Sequence, residues 1–319
     1  MSPFVNHCVQ ILASVCRLLL PAAYYALSLT TSSLILFYVS LLGHSHWFCK
    51  RMRCILAVVT CAPWLLCFGV RLAIQNEEKM LPEDKTRRIL HIGTHASHLD
   101  GLSMMVAYWR GRSWGMPPCA MVKREVLFTP FYGIFAYLVG NVFVARGGSR
   151  KQAAMLSMTR CADRVKQGYL LGIFPEGTRR RALSVGKEHL LAYKKGGFHL
   201  AVELAATEPV TIVPFCLIGS RSAWPVNSLL PIAGSKVTLK FLSHITPDKE
   251  SAEELLEMTR KVHEKGIEKA ARNTQGAYDI DQAFSEGVEI NMYREFLLEA
   301  ILLIIPSAAV IALGVLGLL

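Results

Sequence analysis

The sequence predicts an α/β domain, with a mixed sheet flanked by helices, between N-terminal hydrophobic helices and a C-terminal transmembrane helix. Two observations carry this prediction. Short β-rich runs alternate with longer helical runs through the middle of the 319-residue chain, which is the pattern of an α/β sheet. Apolar residues make up 52% of the composition, too many for an ordinary soluble domain, and the excess lies at the two ends.

Six runs rich in β-branched and aromatic residues are predicted as strands. In chain order they are residues 88–92, 119–122, 141–145, 169–174, 210–218 and 236–242. Residues 149–168 predict a helix that ends at Gly168, because glycine is the usual residue just beyond a helix C-terminus. Residues 251–273 predict a covering helix, since their acids come first and their bases last, as the helix dipole favours.

Uncharged runs at both ends predict membrane segments. They cover residues 18–43, 54–70 and 300–319. The last run would be about 30 Å long as a helix, which matches a bilayer core. The basic residues 50–53 between the first two runs would favour the cytosol. The first two runs are predicted to form either two spans or a hairpin in one leaflet. A cleaved signal peptide is disfavoured because residues 1–16 contain no Lys or Arg.

The chain therefore divides into four predicted parts. These are membrane segments at 1–75, the α/β domain at 76–272, an acidic linker or amphipathic segment at 273–299 and a transmembrane helix at 300–319. The nine cysteines show neither a disulfide framework nor a zinc pattern.

The net charge of +11 is concentrated in the middle of the chain. Residues 87–272 hold 27 Lys and Arg against 14 Asp and Glu. A basic domain on a membrane-anchored chain favours phosphate-bearing lipids or an anionic cosubstrate as partners. Nucleic acid is not predicted, because no nucleic-acid-binding motif accompanies the charge.

Three histidines and an aspartate lie close together at His91, His95, His98 and Asp100. A di-iron site would need several histidine boxes, and the other histidines are scattered, so a metal is disfavoured. A second interpretation pairs His95 with Asp100, which needs a strand, a turn and a helix start, because one continuous helix would place them on different faces. A third is a capping box in which Ser97 is the N-cap and Asp100 is N3; this explains the last two residues but not His95.

A serine hydrolase is a further alternative, because residues 111–115 match the G-x-S-x-G pattern. A nucleophile elbow needs a strand before it and a helix after it. Here a helical run precedes the motif and a Met-Pro-Pro sequence follows, so this alternative is disfavoured.

Four blocks in order resemble those of the glycerolipid acyltransferases. They are THASHLDGL (94–102), GNVFVAR (140–146), FPEGTR (174–179) and VTIVPF (210–215). The stretches at 122–133 and 193–202 resemble the segments that join these blocks in the 1-acylglycerol-3-phosphate branch, so the likeness runs from about residue 90 to about residue 262.

The resemblance implies roles for individual residues. His95 would be the general base and Asp100 its orienting acid, a chemistry that neutral imidazole suits. The acceptor's phosphate would be bound by Arg146, Glu176, Gly177, Thr178 and Arg179. The two arginines follow β-rich runs, where α/β ligands usually bind, and guanidinium groups suit a phosphate. Residues that would contact the acyl donor or shape the site are Ser97, Lys123 and Pro214.

The predicted reaction moves an acyl group from acyl-CoA to the free sn-2 hydroxyl of 1-acyl-sn-glycerol 3-phosphate, giving phosphatidic acid. The alternative acceptors are glycerol 3-phosphate and another lysophospholipid. The expected partners are acyl-CoA as cosubstrate, lysophosphatidic acid and membrane lipids, with neither a cofactor nor a metal. The expected location is integral to a membrane, the endoplasmic reticulum in a eukaryote or the inner membrane in a bacterium.

Overall fold

The computed structural model describes residues 23, 26–41, 47–111, 115–144, 150–179, 190–225, 228, 231–268 and 285–291. The predicted transmembrane helix at 300–319 lies outside these residues, as do residues 1–22 and most of the segment at 273–299. The helices are α1 (26–40), α2 (Trp47–Cys67), α3 (Leu99–Arg110), α4 (Tyr132–Val139), α5 (Arg150–Lys166), α6 (Gly196–Ala205), α7 (Ser220–Ala223) and α8 (Ala252–Glu268). The strands are β1 (Arg71–Gln75), β2 (Arg88–Gly93), β3 (Pro118–Lys123), β4 (Val142–Val144), β5 (Leu170–Ile173), β6 (Val210–Ile218), β7 (Lys236–Phe241) and β8 (Val288–Glu289).

These strands form one mixed sheet, in the order β4-β3-β5-β2-β6-β7-β1-β8 among the described residues. The five strands from β4 to β6 are parallel to their neighbours, whereas β7 is antiparallel to β6 and β8 is antiparallel to β1. The predicted α/β class with a mixed sheet is therefore confirmed. All six predicted strands form, with ends within two residues of their predicted positions.

Helices cover both faces of the sheet. Successive residues of β2 point to opposite faces, so Ile89 packs in a cluster with α2, α3 and α4, whereas Leu90 packs in a second cluster with α5, α6 and α8. The predicted helix at 149–168 forms as α5 and stops before Gly168, whose φ of +84° suits glycine. The predicted covering helix forms as α8.

The N-terminal helices pack against the domain as an antiparallel pair. Ser32 and Ser40 of α1 bond Thr60 and Arg53 of α2, respectively. The basic residues 50–53 were predicted to lie between two apolar segments, but they fall within α2. The buried Arg53 explains the difference, because its guanidinium also donates to the carbonyl of Leu138 and the hydroxyl of Tyr169. No helix in the described part of the chain is long and apolar enough to cross a membrane.

The sheet extends beyond the predicted limits of the α/β domain. Strand β1 precedes the predicted boundary at residue 76 and pairs in parallel with β7 along its whole length. Strand β8 belongs to the segment predicted as an acidic linker and adds two residues at the sheet edge beside β1. The ion pair between Arg71 and Glu289, at 2.7 Å, joins these two strands at the surface.

Candidate active site

The candidate site lies where the parallel strands β2, β5 and β6 end, because their carboxyl ends meet at one edge of the sheet. Residues 94–98 leave β2 and lead into α3. The backbone N–H of Thr94 donates to the carbonyl of Phe215 at 3.3 Å, and its hydroxyl oxygen accepts from the N–H of Leu217 at 3.3 Å. These bonds to β6 hold the start of the turn that carries His95.

His95 and Asp100 form the predicted pair. The distance from His95 Nδ1 to Asp100 Oδ2 is 2.9 Å, and the carboxylate is fully buried whereas the His95 side chain is 23% exposed. An ionised carboxylate only accepts, so Nδ1 carries the proton and Nε2 keeps its lone pair. Nε2 has no hydrogen-bond partner among the described residues, which leaves it available to accept a proton from a bound molecule.

The same carboxylate also caps α3. Asp100 Oδ2 accepts the backbone N–H groups of Ala96 at 2.7 Å and Ser97 at 2.9 Å, in addition to the imidazole. Ser97 Oγ accepts the N–H of Leu99 at 3.2 Å, so it contributes to the helix start one residue before the N-cap position that His98 occupies. The capping and base-orienting interpretations are therefore compatible, because one oxygen performs both tasks.

The loop after β5 supports His95 from the other side. The ring of Phe174 stacks on the imidazole, with centroids 4.4 Å apart and planes 20° apart. Glu176 is buried, and its carboxylate accepts the backbone N–H groups of His95 at 2.9 Å and Leu191 at 3.2 Å. Through these two bonds, Glu176 joins the turn after β5 to the backbone of His95, and its predicted contact with the acceptor's phosphate stays a prediction.

Arg179 contacts His98 beside the pair. The Arg179 Nη1 group donates to His98 Nε2, so that imidazole is neutral with its proton on Nδ1. Burial lowers the pKa of His98, and the positive charge of Arg179 lowers it further. His98 also packs against Trp224, with ring centroids 5.1 Å apart. The predicted phosphate-binding Arg179 is thus held near His95 by a residue to which the sequence assigned no role.

Gly177 and Thr178 complete the turn between β5 and Arg179. The φ of Gly177 is +66°, a left-handed backbone conformation that favours glycine, so the turn needs glycine for its conformation. Thr178 is exposed, and Arg146, the second predicted phosphate ligand, lies outside the described residues.

The structure also describes Ser97, Pro214 and Lys123, which were predicted to contact the acyl donor or to shape the site. Ser97 Oγ donates to the carbonyl of Trp224 at 3.3 Å, which joins the α3 start to the end of α7. Pro214 is buried in β6 and its carbonyl accepts the N–H of Leu242 at 2.9 Å. Lys123 is exposed at the end of β3, where it pairs in register with Val144.

His91, the first of the three clustered histidines, lies in the interior of the protein. His91 is fully buried, donates through Nε2 to the carbonyl of Met80 at 2.9 Å, and packs edge-on against Tyr108 at 5.2 Å. Burial lowers its pKa to about 4, so this imidazole is neutral.

Within the described ranges, no three His, Cys, Asp or Glu side chains are grouped to hold a metal ion. Ser113 of the G-x-S-x-G pattern lies outside them.

Sequence reasoning missed Phe174 and Trp224 as parts of the site. Phe174 opens the FPEGTR block, so its position directly after β5 was a usable signal. Trp224 lies 126 residues beyond His98 and outside every block, so only the fold brings the two together.

Comparisons with known proteins agree with the four blocks. The family model described as Acyltransferase matches residues 71–218, which span β1 to β6. A 1-acyl-sn-glycerol-3-phosphate acyltransferase of Limnanthes alba is 28% identical over 63% of this chain and 63% of its own length. The enzymes of the same name from Cocos nucifera and Haemophilus influenzae are each 30% identical, over 57% and 43% of this chain. The matches cover 53% and 51% of those two relatives, so the chain spans between half and two thirds of the relatives described here.

A solved structure shares the fold. The crystal structure of the 1-acyl-sn-glycerophosphate acyltransferase PlsC from Thermotoga maritima aligns with a TM-score of 0.58, over 79% of this chain and 95% of that one. At 19% identity this likeness concerns the fold alone. Together, the sequence blocks, the family-model match and the curated relatives show that residues 71–218 of this chain are similar to the acyltransferase family.

Proposed function

We propose that this chain acylates the free hydroxyl of 1-acyl-sn-glycerol 3-phosphate, forming phosphatidic acid, with acyl-CoA as the donor. The observation that carries the proposal is the 2.9 Å bond from His95 Nδ1 to the buried Asp100, which leaves Nε2 unengaged on a partly exposed ring. The names of the curated relatives support the choice of acceptor.

His95 is the general base of the proposed reaction. Its Nε2 removes the proton of the acceptor hydroxyl as the oxygen attacks the thioester carbonyl carbon of the donor. The C–O bond of the new ester forms, the C–S bond breaks, and the imidazolium returns the proton to the departing thiolate. The Asp100 carboxylate fixes the tautomer at the start and stabilises the imidazolium in between. Transfer is direct, and no acyl-enzyme forms.

Arg179 binds the acceptor's phosphate in this proposal, together with Arg146. A guanidinium fork matches a phosphate monoester and is always charged. The contact with the neutral His98 orients Arg179 without neutralising it, because an imidazole that accepts a hydrogen bond carries no negative charge. The net charge of +13 over residues 87–272 favours the approach of an anionic acceptor and donor.

We also propose that the protein works at a membrane, because its acceptor is a lipid. Support comes from the uncharged sequence at 300–319 and from large apolar side chains that α1 exposes, such as Leu27 at 71% and Tyr38 at 67%. The proposed location remains the endoplasmic reticulum membrane in a eukaryote or the inner membrane in a bacterium.

An acyl-transfer assay with several acceptors tests the proposal. The purified full-length chain is given acyl-CoA with 1-acylglycerol 3-phosphate, glycerol 3-phosphate, lysophosphatidylcholine or monoacylglycerol, and the products are quantified by mass spectrometry. We expect the highest kcat/KM for 1-acylglycerol 3-phosphate. A higher kcat/KM for glycerol 3-phosphate or lysophosphatidylcholine would mean that this compound is the acceptor instead. Absence of transfer to every acceptor would refute the proposed acyltransferase activity. The control is a His199→Ala variant, which alters an exposed histidine of α6. It should keep wild-type activity, because His199 has no role in the proposed reaction.

A further inference from the structure

A buried hydrogen-bonded trio joins α8 to the strand that carries the catalytic turn. His263 of α8 is fully buried, and its Nε2 lies 3.0 Å from the carbonyl oxygen of Ile92, the penultimate residue of β2. Its Nδ1 lies 2.7 Å from the hydroxyl of Tyr193. A carbonyl only accepts, so Nε2 carries the proton, Nδ1 accepts, and Tyr193 donates. The imidazole is therefore neutral and uses both of its nitrogens.

The trio of Ile92, Tyr193 and His263 is connected to His95 through two sets of contacts. Through Ile92 it holds β2 three residues before His95, where the strand gives way to the turn. Through Tyr193 it holds the segment 190–195, which bonds the turn after β5: Leu191 N–H donates to Glu176, and Lys194 N–H donates to the carbonyl of Pro175 at 2.9 Å.

Glu176 connects the segment 190–195 to His95. Its other carboxylate oxygen accepts the backbone N–H of His95 at 2.9 Å. The imidazole of His95 therefore lies between two supports, the end of β2 and the turn that carries Phe174 and Glu176. His263 bonds the first directly, and it is connected to the second through Tyr193 and the segment 190–195. Loss of the His263 ring would release both supports, and a tilt of the imidazole would weaken its bond to Asp100.

We infer that His263 and Tyr193 are positioning residues for the base, acting together through the strand end and the loop to fix the orientation of His95. They touch neither substrate. The inference rests on the proposed role of His95, and it assigns a catalytic consequence to α8, which lies beyond the family-model match at 71–218.

The first test separates kcat from KM in the full-length chain. His263→Leu and Tyr193→Phe should each lower kcat with 1-acylglycerol 3-phosphate by about 10- to 100-fold, because small misplacement of a catalytic group has effects of this size. The KM for acceptor and donor should change less than about threefold, since neither residue contacts them. The double variant should lose about as much as the larger single loss, because both act through one network.

Two further variants distinguish positioning from folding. His263→Gln supplies one donor and one acceptor in a similar place, so it should recover most of the lost kcat. Leu255→Ala removes a fully buried side chain of the same helix that makes none of the trio's hydrogen bonds, and it should lower the melting temperature but leave kcat of the folded protein near that of the wild type.

Clear outcomes would overturn the inference. Wild-type kcat in His263→Leu would do so, as would equal kcat losses in His263→Leu and Leu255→Ala at matched stability. The failure of the proposed function is a different result: His95→Ala would then keep its activity, whatever the effect of His263.

Discussion

Replacing Asp100 with asparagine should separate the charge of the relay from its geometry. Asp100 Oδ2 accepts three N–H groups, and its Oδ1 is buried without a hydrogen-bond partner among the described residues. An asparagine can place its carbonyl oxygen at the Oδ2 position and its amide at the Oδ1 position. The backbone bonds that start α3 would then persist, and only the negative charge beside His95 would be lost.

The distance sets the size of the effect. A charge-assisted hydrogen bond contributes about 1.5–3 kcal/mol, which is roughly one to two decades in rate. Two full charges at the 2.9 Å separation would interact by about 6 kcal/mol at an effective dielectric of 20, which is about four decades and an upper limit. We therefore expect Asp100→Asn to lower kcat by about 10- to 10⁴-fold.

The assay measures steady-state transfer to 1-acylglycerol 3-phosphate together with thermal unfolding. Asp100→Asn should have nearly the wild-type melting temperature, whereas Asp100→Ala should also lose about 1 kcal/mol of stability with its cap. If Asp100→Asn kept more than about a tenth of the wild-type kcat, the carboxylate would be a cap alone and the relay would be wrong.

Four further changes have defined expectations. Arg179→Ala should lower kcat/KM for 1-acylglycerol 3-phosphate by roughly one to two decades but spare slow transfer to monoacylglycerol; equal losses with both acceptors would contradict a phosphate contact. His98→Ala should raise the KM for the phosphate-bearing acceptor several-fold at nearly constant kcat, because Arg179 loses its support, and an unchanged KM would show that the support is dispensable. Gly93→Ala should lower the free energy of unfolding in denaturant titration by about 1–3 kcal/mol, because the new Cβ would lie 2.1 Å from the Phe215 ring; unchanged stability would contradict the close approach. Because the pKa of His91 is near 4 when folded and about 6.5 when unfolded, the free energy of unfolding should fall by about 3 kcal/mol as the pH falls across that interval, and His91→Gln should abolish this part of the slope in the same titration.

The parts of the fold that follow local patterns were predictable from the sequence. Strand β6 is a nine-residue apolar run and forms with the predicted ends, because a strand buried on both faces needs such a run. The pairing of His95 with Asp100 was also predictable, since a strand, a turn and a helix start are the one local arrangement that brings residues five apart together.

Features that depend on distant contacts were not predictable. The sequence placed the basic residues 50–53 between two apolar segments, whereas they lie within α2, where the buried Arg53 donates to Tyr169, 116 residues later. Strand β8 has two residues, too few for any periodicity. Glu176 was predicted from its block as a phosphate ligand, which stays a prediction, and its bond to the backbone of His95, 81 residues earlier, was not predicted. These outcomes follow from side chains satisfying buried groups across the fold, which no local pattern records.

The most direct test of the central claim compares wild-type protein with a His95→Gln variant in phosphatidic acid formation from acyl-CoA and 1-acylglycerol 3-phosphate. Glutamine keeps a polar side chain at the site but cannot serve as the base. The proposed mechanism predicts a kcat at least about 10²-fold below that of the wild type, with a folded protein and an acceptor KM close to the wild-type value. A His95→Gln variant that forms phosphatidic acid within a few-fold of the wild-type rate would contradict it.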